Sequence, residues 1–249
     1  MKKAVIIPAR MEASRLPGKP LALIGTKPLI LRVYEQALKA TGIDEVVVAT
    51  DSSEIMTAVQ SAGGQAVLTR SDHASGSDRV AEAAKIIGAE LIINVQGDEP
   101  FINPKDITRL VELLEQKPES IVTMDYGLEA LAELQDVNVV KVVKSEAGQA
   151  LYFSRSAIPY SVNQEEALAL ARGHIGIYGY HRDVLERMTQ APVATLEKLE
   201  RLEQLRAMSL GIPIWALEAA HAPIGVDTPE DLEAARKRLQ DLGDAAFPG

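Results

Sequence analysis

Residues 5–20 read V-I-I-P-A-R-M-E-A-S-R-L-P-G-K-P, and this stretch decides the fold. The apolar run that ends at Pro8 is rich in β-branched residues, which is typical of a strand buried on both faces. The loop after it carries Arg10, Arg15 and Lys19, although the formal net charge of the chain is -9. A local excess of positive charge in an acidic protein indicates a bound polyanion, whereas the plainer alternative is a solvated basic loop.

This loop differs from the two glycine-rich phosphate motifs that follow a first strand. The dinucleotide fingerprint needs three glycines, and the Walker loop needs Gly-Lys followed by Ser or Thr. Only Gly18 is present here, and Lys19 precedes Pro20, which has neither a hydroxyl nor an N–H to offer a phosphate. We therefore expect a triphosphate to be held chiefly by charged side chains.

Strands and helices alternate over the first half of the chain. Strands predicted at 45–50, 65–69 and 90–96 are separated by helical segments, a pattern that specifies a parallel sheet with right-handed crossovers. Ligands of such sheets bind beyond the carboxyl ends of the strands. After residue 116, strand-like pieces follow one another without long helices, which indicates a mixed or antiparallel addition. We predict one Rossmann-like α/β domain over residues 1–243, with helices on both faces of the sheet, and a flexible tail at 244–249.

The composition narrows the classes of function. The hydrophobic content of 47% suits one large core, and the absence of cysteine excludes disulfides and zinc–thiolate sites. The acidic balance argues against nucleic acid or an anionic membrane as the main partner. No run approaches the roughly eighteen apolar residues of a membrane span, and the N-terminal run is too short for an export signal. We expect a cytoplasmic protein.

Two aspartates are candidate metal ligands. Asp98 follows a predicted strand at the ligand edge, where its carboxylate suits magnesium but could equally form an Asx turn. Asp227 precedes Thr228, and this threonine already explains the start of the last helix as its capping residue. Because the cap already accounts for the helix start, Asp227 is left for another role, and a second carboxylate in such a position favours the metal interpretation of Asp98 over the Asx turn.

The loop at residues 10–20 resembles the phosphate loop of the 3-deoxy-manno-octulosonate (KDO) cytidylyltransferases, also called CMP-KDO synthetases. Further motifs share this resemblance across nearly the whole chain, including S-G-S-D-R at 75–79, N-V-Q-G-D-E-P at 94–100, Y-F-S-R-S-A-I-P-Y at 152–160, H-I-G-I-Y-G-Y at 174–180 and G-V-D-T-P-E-D-L at 225–232. One departure is at Met11 and Glu12, where the family usually carries smaller or aromatic residues. The carboxylate of Glu12 adds a negative charge near the expected triphosphate.

The resemblance implies a homodimeric nucleotidyltransferase that joins CTP to an acidic sugar, most simply KDO, for lipopolysaccharide biosynthesis. It implies magnesium held by Asp98 and Asp227, and catalytic roles for Arg10, Arg15, Lys19 and Asp98. The implied nucleotide-binding residues are Pro8, Ala9, Arg10, Arg15, Lys19, Ser75, Gly76, Ser77, Asp78, Arg79 and Gln96. Without the resemblance, the 75–79 segment could simply cap a helix through Ser77 or Asp78, and the residues do not distinguish cytosine from uracil. Alternative functions are CMP transfer to 8-amino-KDO or sialic acid, uridylyl transfer to a neutral sugar phosphate, and a nucleotide-binding regulator without turnover.

The expected sugar-binding residues lie in the second half of the chain. Period-two alternation places His174 and Tyr178 on one strand face, away from the isoleucines that take the core. Arg155 is the candidate for the sugar carboxylate, because its planar fork binds carboxylates bidentately.

A helix predicted at 195–210 has an apolar arc that includes the charged Glu203. Burying a charge is costly unless it is paired, so Glu203 either forms an ion pair with Arg206 or meets a ligand. The resemblance assigns Glu203 and Gln204 to sugar hydroxyls.

Overall fold

The computed structural model describes residues 1–12 and 15–247 of the chain. They form two compact units, Met1–Glu112 with Pro223–Gly249, and Leu113–Ala222. Among the described residues, no helix is both long and apolar enough to cross a bilayer. The single domain expected over residues 1–243 stays a prediction.

The first unit contains the alternating elements. From the N-terminus they are β1 (Lys3–Ala9), β2 (Leu23–Ile24), β3 (Lys27–Pro28), α1 (Leu29–Ala37), β4 (Glu45–Thr50), α2 (Ser53–Ser61), β5 (Ala66–Leu68), α3 (Gly76–Ile87) and β6 (Leu91–Asn94), followed by α4 (Pro104–Gln116), which ends in the second unit. The second unit continues with β7 (Ile121–Gly127), α5 (Leu131–Gln135), β8 (Lys141–Lys144), β9 (Ala150–Ser154), α6 (Gln164–Leu170), β10 (Arg172–His181), α7 (Arg182–Gln190), α8 (Thr195–Glu200), α9 (Gln204–Ser209) and β11 (Ile214–Glu218). The chain returns to the first unit with α10 (Pro229–Leu242).

The first unit is built on a parallel sheet with the strand order β6-β1-β4-β5. Ile6 and Ile7 of β1 are fully buried, as the β-branched run predicts. Because β1 and β6 are parallel neighbours, the loops that follow them leave the same edge of the sheet. The carbonyl oxygen of Pro8 lies 2.9 Å from the position of a Cβ atom at residue 97, so only glycine fits there. The predicted α/β class is confirmed in this unit.

The second unit holds the mixed part of the fold. β7 pairs in parallel with β11 and antiparallel with β10. β8 pairs antiparallel with both β10 and β9. The register of β10 against β7 shifts between Ile175 and Tyr178. At this bulge the Thr123 hydroxyl lies 3.1 Å from the Ile175 carbonyl and 2.7 Å from that of Ile177. Both isoleucines are buried, and the predicted alternation is confirmed.

The single helix predicted at 195–210 is wrong. Arg201 adopts a left-handed conformation with φ 55, so α8 ends at Glu200 and a new helix begins at Gln204. A left-handed residue commonly ends a helix, and it is usually a glycine. Because this position is an arginine, the sequence does not indicate a helix end here. Leu202 and Leu205 are buried, but Leu199 is 75% exposed. The continuous apolar arc around Glu203 therefore does not form.

The tail is folded further than predicted. Gly243–Ala246 form a 3₁₀ helix, and Ala246 is fully buried in a cluster with Phe101. The Phe247 ring stacks on that of Phe101 with centroids 5.2 Å apart, and the Arg32 guanidinium lies 5.1 Å from the Phe247 centroid. Because of these aromatic contacts, the prediction of a flexible tail is wrong as far as residue 247. Residues 248 and 249 lie outside the described part.

Candidate active site

A cleft of about 370 Å³ lies in the first unit at the carboxyl edge of its parallel sheet. Its walls come from the loop after β1, the segment before α3, the loop after β6 and the residue before the cap of α10. The predicted site residues that line it are Pro8, Ala9, Arg10, Arg15, Lys19, Ser75, Gly76, Arg79, Gln96, Asp98 and Asp227. Glu12, which departs from the usual family pattern, also lines this cleft.

Lys19 joins the two predicted metal ligands. Its Nζ lies 2.7 Å from Oδ2 of Asp98 and 2.9 Å from Oδ1 of Asp227. Gly18 precedes it with φ 69, a left-handed turn that suits glycine, and starts the 3₁₀ helix Lys19–Leu21. Arg15 adds a bond of 3.2 Å from Nη2 to Oδ2 of Asp227. Three segments distant in sequence thus meet at one ammonium group.

The charges at this point are mutually dependent. Burial opposes the charge of Lys19, but Asp98 and Asp227 outweigh it and raise its pKa. Burial likewise opposes the charge of Asp227, yet Lys19 and Arg15 hold the pKa of that carboxyl below its usual range. Glu99 behaves differently, because burial and repulsion from Asp98 and Asp227 raise its pKa to about 8. Glu99 is therefore largely uncharged at neutral pH, and the aspartates carry the negative charge.

Ser75 begins α3 in a reciprocal capping box. Its hydroxyl accepts from the backbone N–H of Asp78 at 3.2 Å, and Oδ2 of Asp78 accepts from the backbone N–H of Ser75 at 3.0 Å. The cap is therefore Ser75, and neither of the alternatives Ser77 and Asp78. Ser77 is buried, and among the described residues it and Asp78 are not part of the cleft lining, so their nucleotide-binding role stays a prediction.

Arg79 borders the cleft, but its guanidinium is already paired. Nη1 lies 2.5 Å from the Thr69 hydroxyl, and Nη2 lies 3.1 Å from Oδ2 of Asp51. Arg79 is 4% exposed, so this ion pair is shielded from water. We assign Arg79 to shaping the wall of the cleft between β4 and α3. No local sequence pattern indicates its partner Asp51.

The sequence profile of the cytidylyltransferase family matches residues 4–214. The chain belongs to the cytidylyltransferase family. It is 47% identical to a 3-deoxy-manno-octulosonate cytidylyltransferase of Escherichia coli, covering 99% of this chain and 100% of that protein. It is 44% identical to a protein of the same name from Geobacter sulfurreducens, covering 96% and 100%.

Solved structures are similar over the same length. A CMP:2-keto-3-deoxy-manno-octonic acid synthetase complexed with CTP is 45% identical, with a TM-score of 0.92 and coverage of 97% of this chain and 99% of that one. A UDP-glucose pyrophosphorylase, 19% identical with a TM-score of 0.67 over 97% and 99%, shares the fold.

The predicted sugar-binding residues of this cytidylyltransferase all lie in its second unit. His174 and Tyr178 are brought together, with ring centroids 5.4 Å apart, and Phe153 packs edge-on against His174 at 4.9 Å. Burial lowers the pKa of His174 to about 3, and its Nε2 lies 2.9 Å from the Thr123 hydroxyl. Burial, together with the charge of Glu203, raises the pKa of Tyr178. These rings form a neutral polar cluster.

The ion pair considered for Glu203 is weak. Its Oε1 lies 3.7 Å from Nη2 of Arg206, whereas Glu197 binds that guanidinium with two bonds of 2.9 and 2.5 Å. Arg206 thereby joins α8 to α9. Gln204 is 5% exposed and starts the second of these helices.

Arg155 is bound by backbone in the second unit. Its Nε donates to the Glu200 carbonyl at 2.8 Å and its Nη1 to the Val137 carbonyl at 2.9 Å. Its own N–H donates to Oε2 of Glu200 at 2.9 Å. This geometry occupies much of the fork that was predicted to meet a sugar carboxylate, so it supports a structural role.

Sequence reasoning missed one ionisable residue in each unit. In the first unit, His73 lines the cleft and pairs with Glu82 of α3. In the second unit, Lys141 is fully buried, and its Nζ donates to three backbone carbonyls, including that of Arg155 at 2.6 Å. His73 lies two residues before the S-G-S-D-R motif, which was the available signal. A single lysine in a valine-rich strand gave none.

We predict that Arg155→Lys lowers the free energy of unfolding by about 1–3 kcal/mol, because the two carbonyls are bound by different nitrogens of the guanidinium fork, whose spacing a single ammonium does not reproduce. Urea denaturation of the full chain measures this. Arg201→Lys is the matched control, since Arg201 is exposed and has no side-chain hydrogen bond among the described residues, and it should change stability by less than about 0.5 kcal/mol. An Arg155→Lys protein of unchanged stability whose KM rises for the sugar alone would restore the carboxylate-binding role.

Proposed function

We propose that this cytidylyltransferase transfers CMP from CTP to KDO and releases pyrophosphate. The observation that carries the proposal is the cleft itself, where Lys19 bridges Asp98 and Asp227 and where Arg10 and Arg15 add two further cations. A triphosphate and its counter-ion need such a combination of charges. The names of the full-length relatives point to KDO as the acceptor.

The reaction needs positioning and charge stabilisation more than covalent help. A bond forms between the anomeric oxygen of the sugar and the α-phosphorus of CTP, while the bond from that phosphorus to the oxygen shared with the β-phosphate breaks. The hydroxyl proton is released, and pyrophosphate leaves. Arg10, Arg15 and Lys19 bind the phosphate oxygens and stabilise the charge that develops on the leaving group. The presence of both Asp98 and Asp227 beside these cations speaks against a regulator that has lost turnover.

Asp98 and Asp227 suit a magnesium ion. Both carboxylates already contact one positive charge, the Lys19 ammonium, so their oxygens converge on a point that a cation can share. Magnesium takes only one or two carboxylates and completes its shell with water and phosphate oxygens. Accordingly, a larger group of His, Cys, Asp or Glu is not required, and within the described residues none was found. When bound, magnesium would neutralise charge on the triphosphate.

We expect Asp98→Asn and Asp227→Asn each to reduce turnover by at least about a hundredfold while the fold persists, because each removes one preorganised charge. Pyrophosphate release from CTP, KDO and magnesium measures this. Asp241→Asn, at an exposed position near the end of α10, is the matched control and should retain turnover.

The same assay tests the function. The proposal is supported if the wild type releases more pyrophosphate with CTP and KDO than with CTP and sialic acid or 8-amino-KDO. Release should also exceed that with UTP and a neutral sugar phosphate. Absence of release with any acceptor would leave a nucleotide-binding regulator, and a stronger response to another sugar would replace KDO.

We also propose that the enzyme acts in the cytoplasm, where CTP is made, as a homodimer. Leu202 is buried within its own unit, so its side chain is not available for a contact between copies. Leu151 of β9 and Leu196 and Leu199 of α8 are instead exposed in the second unit, by 59%, 44% and 75%. Exposed apolar side chains of this size favour a contact between copies.

Light scattering at micromolar concentration should give twice the mass of the chain. Leu199→Glu should shift the mass toward that of one chain, because it places a charge in the proposed contact. A wild-type monomer would contradict the dimer.

A further inference from the structure

His73 has no role in the site as described above, although its side chain borders the nucleotide cleft next to Ala74, Ser75 and Gly76. It lies on the segment between β5 and α3. Its side chain is 12% exposed, so its ring is largely enclosed by protein. A largely enclosed imidazole at the wall of a ligand cleft is placed to contact the ligand through whichever nitrogen the protein leaves open.

One ring nitrogen is already engaged. Nε2 of His73 forms a very short hydrogen bond with Oε2 of Glu82, which also accepts the backbone N–H of Arg70 at 3.0 Å. Burial raises the pKa of Glu82, but the bonds from His73 and from the Arg70 backbone outweigh it and hold that pKa below its usual range. An ionised carboxylate only accepts hydrogen bonds, so Nε2 must carry the hydrogen.

The tautomer of the neutral ring follows. With the hydrogen on Nε2, the neutral imidazole presents Nδ1 as an acceptor. The structure shows no hydrogen-bond partner for Nδ1 within residues 1–12 and 15–247. The guanidinium of Arg70 is not available to it, because both of its contacting nitrogens bind Asp72 at 2.9 and 2.7 Å.

The neighbouring wall suits a base better than a phosphate. Pro8 and Ala9 are uncharged, and a Cβ atom at Gly76 would lie 3.8 Å from Cγ of Pro8, so the segment beside His73 is in van der Waals range of the proline. Two cations that could bind phosphates, Arg15 and Lys19, contact Asp227 and not His73. An unprotonated nitrogen would also repel a phosphate oxygen, whereas it attracts an N–H donor.

Cytosine and uracil differ in the group that such an acceptor would meet. Cytosine carries an exocyclic amino donor at position 4, and uracil carries a carbonyl acceptor there. We propose that Nδ1 of His73, with its tautomer held by Glu82, accepts a hydrogen bond from the 4-amino group of the base and thereby selects CTP over UTP. The inference rests on the proposed function for the identity of the nucleotide, and it makes His73 a specificity-determining residue.

Direct binding separates this inference from turnover. Titration calorimetry with CTP and with UTP, in magnesium and without sugar, is carried out on the wild type and on His73→Gln and His73→Asn. The Gln amide can reach the position of Nε2 and keep the bond to Glu82, but it leaves the Nδ1 position empty. The Asn amide can place its oxygen where Nδ1 stood. Ser71→Ala is the control, since Ser71 lies on the same segment, is exposed, and has no side-chain hydrogen bond among the described residues.

We expect His73→Gln to weaken CTP binding by about tenfold and to change UTP binding by less than about threefold, the scale of one neutral hydrogen bond. His73→Asn should restore most of the preference for CTP, and Ser71→Ala should leave both affinities unchanged. Thermal unfolding confirms that each variant is folded.

Two outcomes overturn the inference. Equal losses for CTP and UTP in His73→Gln would place the contact on the ribose or the phosphates, and no loss for either would remove His73 from the site. Neither result depends on turnover. A wild type that prefers CTP through His73 but releases no pyrophosphate with KDO would contradict the proposed function and leave this inference standing.

Discussion

The site depends on one ammonium group shared by two carboxylates. Asp98 and Asp227 lie 79 and 208 residues from Lys19 in the chain, and its Nζ contacts both. Two carboxylates that face one point repel each other, so the arrangement needs a cation there to be stable. Burial, together with repulsion from Asp98 and Asp227, raises the pKa of Glu99 to about 8, so a further negative charge is disfavoured at this place. The same charge balance that holds these loops together supports the proposal that the cleft binds a triphosphate with a metal ion.

In the second unit, two cations bind backbone carbonyls. Nζ of Lys141 donates to the carbonyls of Asp136, Val139 and Arg155 at 2.6–2.7 Å, and burial lowers its pKa. Arg155 in turn donates to the Val137 carbonyl in the same segment. An ammonium without a carboxylate can be buried only if carbonyl oxygens replace its water. Both cations therefore fix the chain around 136–139.

Much of the first unit could be predicted from sequence, because its signals are local. The strand predicted at 45–50 has the same bounds as β4. Thr228 caps α10 as predicted, and Asp227 before it lines the cleft. The break at Arg201 could not be predicted, since no glycine marks it and the leucine spacing continues across it. The engagement of Arg155 and the tautomer of His73 depend on partners distant in sequence or across a turn, such as Glu200 and Glu82, which no local pattern identifies.

We propose that Asp98 and Asp227 form a cation site that is completed by the triphosphate. The most direct measurement is the affinity of the wild-type chain for CTP by titration calorimetry in the presence of magnesium and in its absence. Because the ion would neutralise both the carboxylates and the phosphates, magnesium should tighten CTP binding by at least about tenfold. Equal affinity with and without magnesium would contradict the proposed cation site, and would mean that Arg10, Arg15 and Lys19 bind the nucleotide without a metal ion.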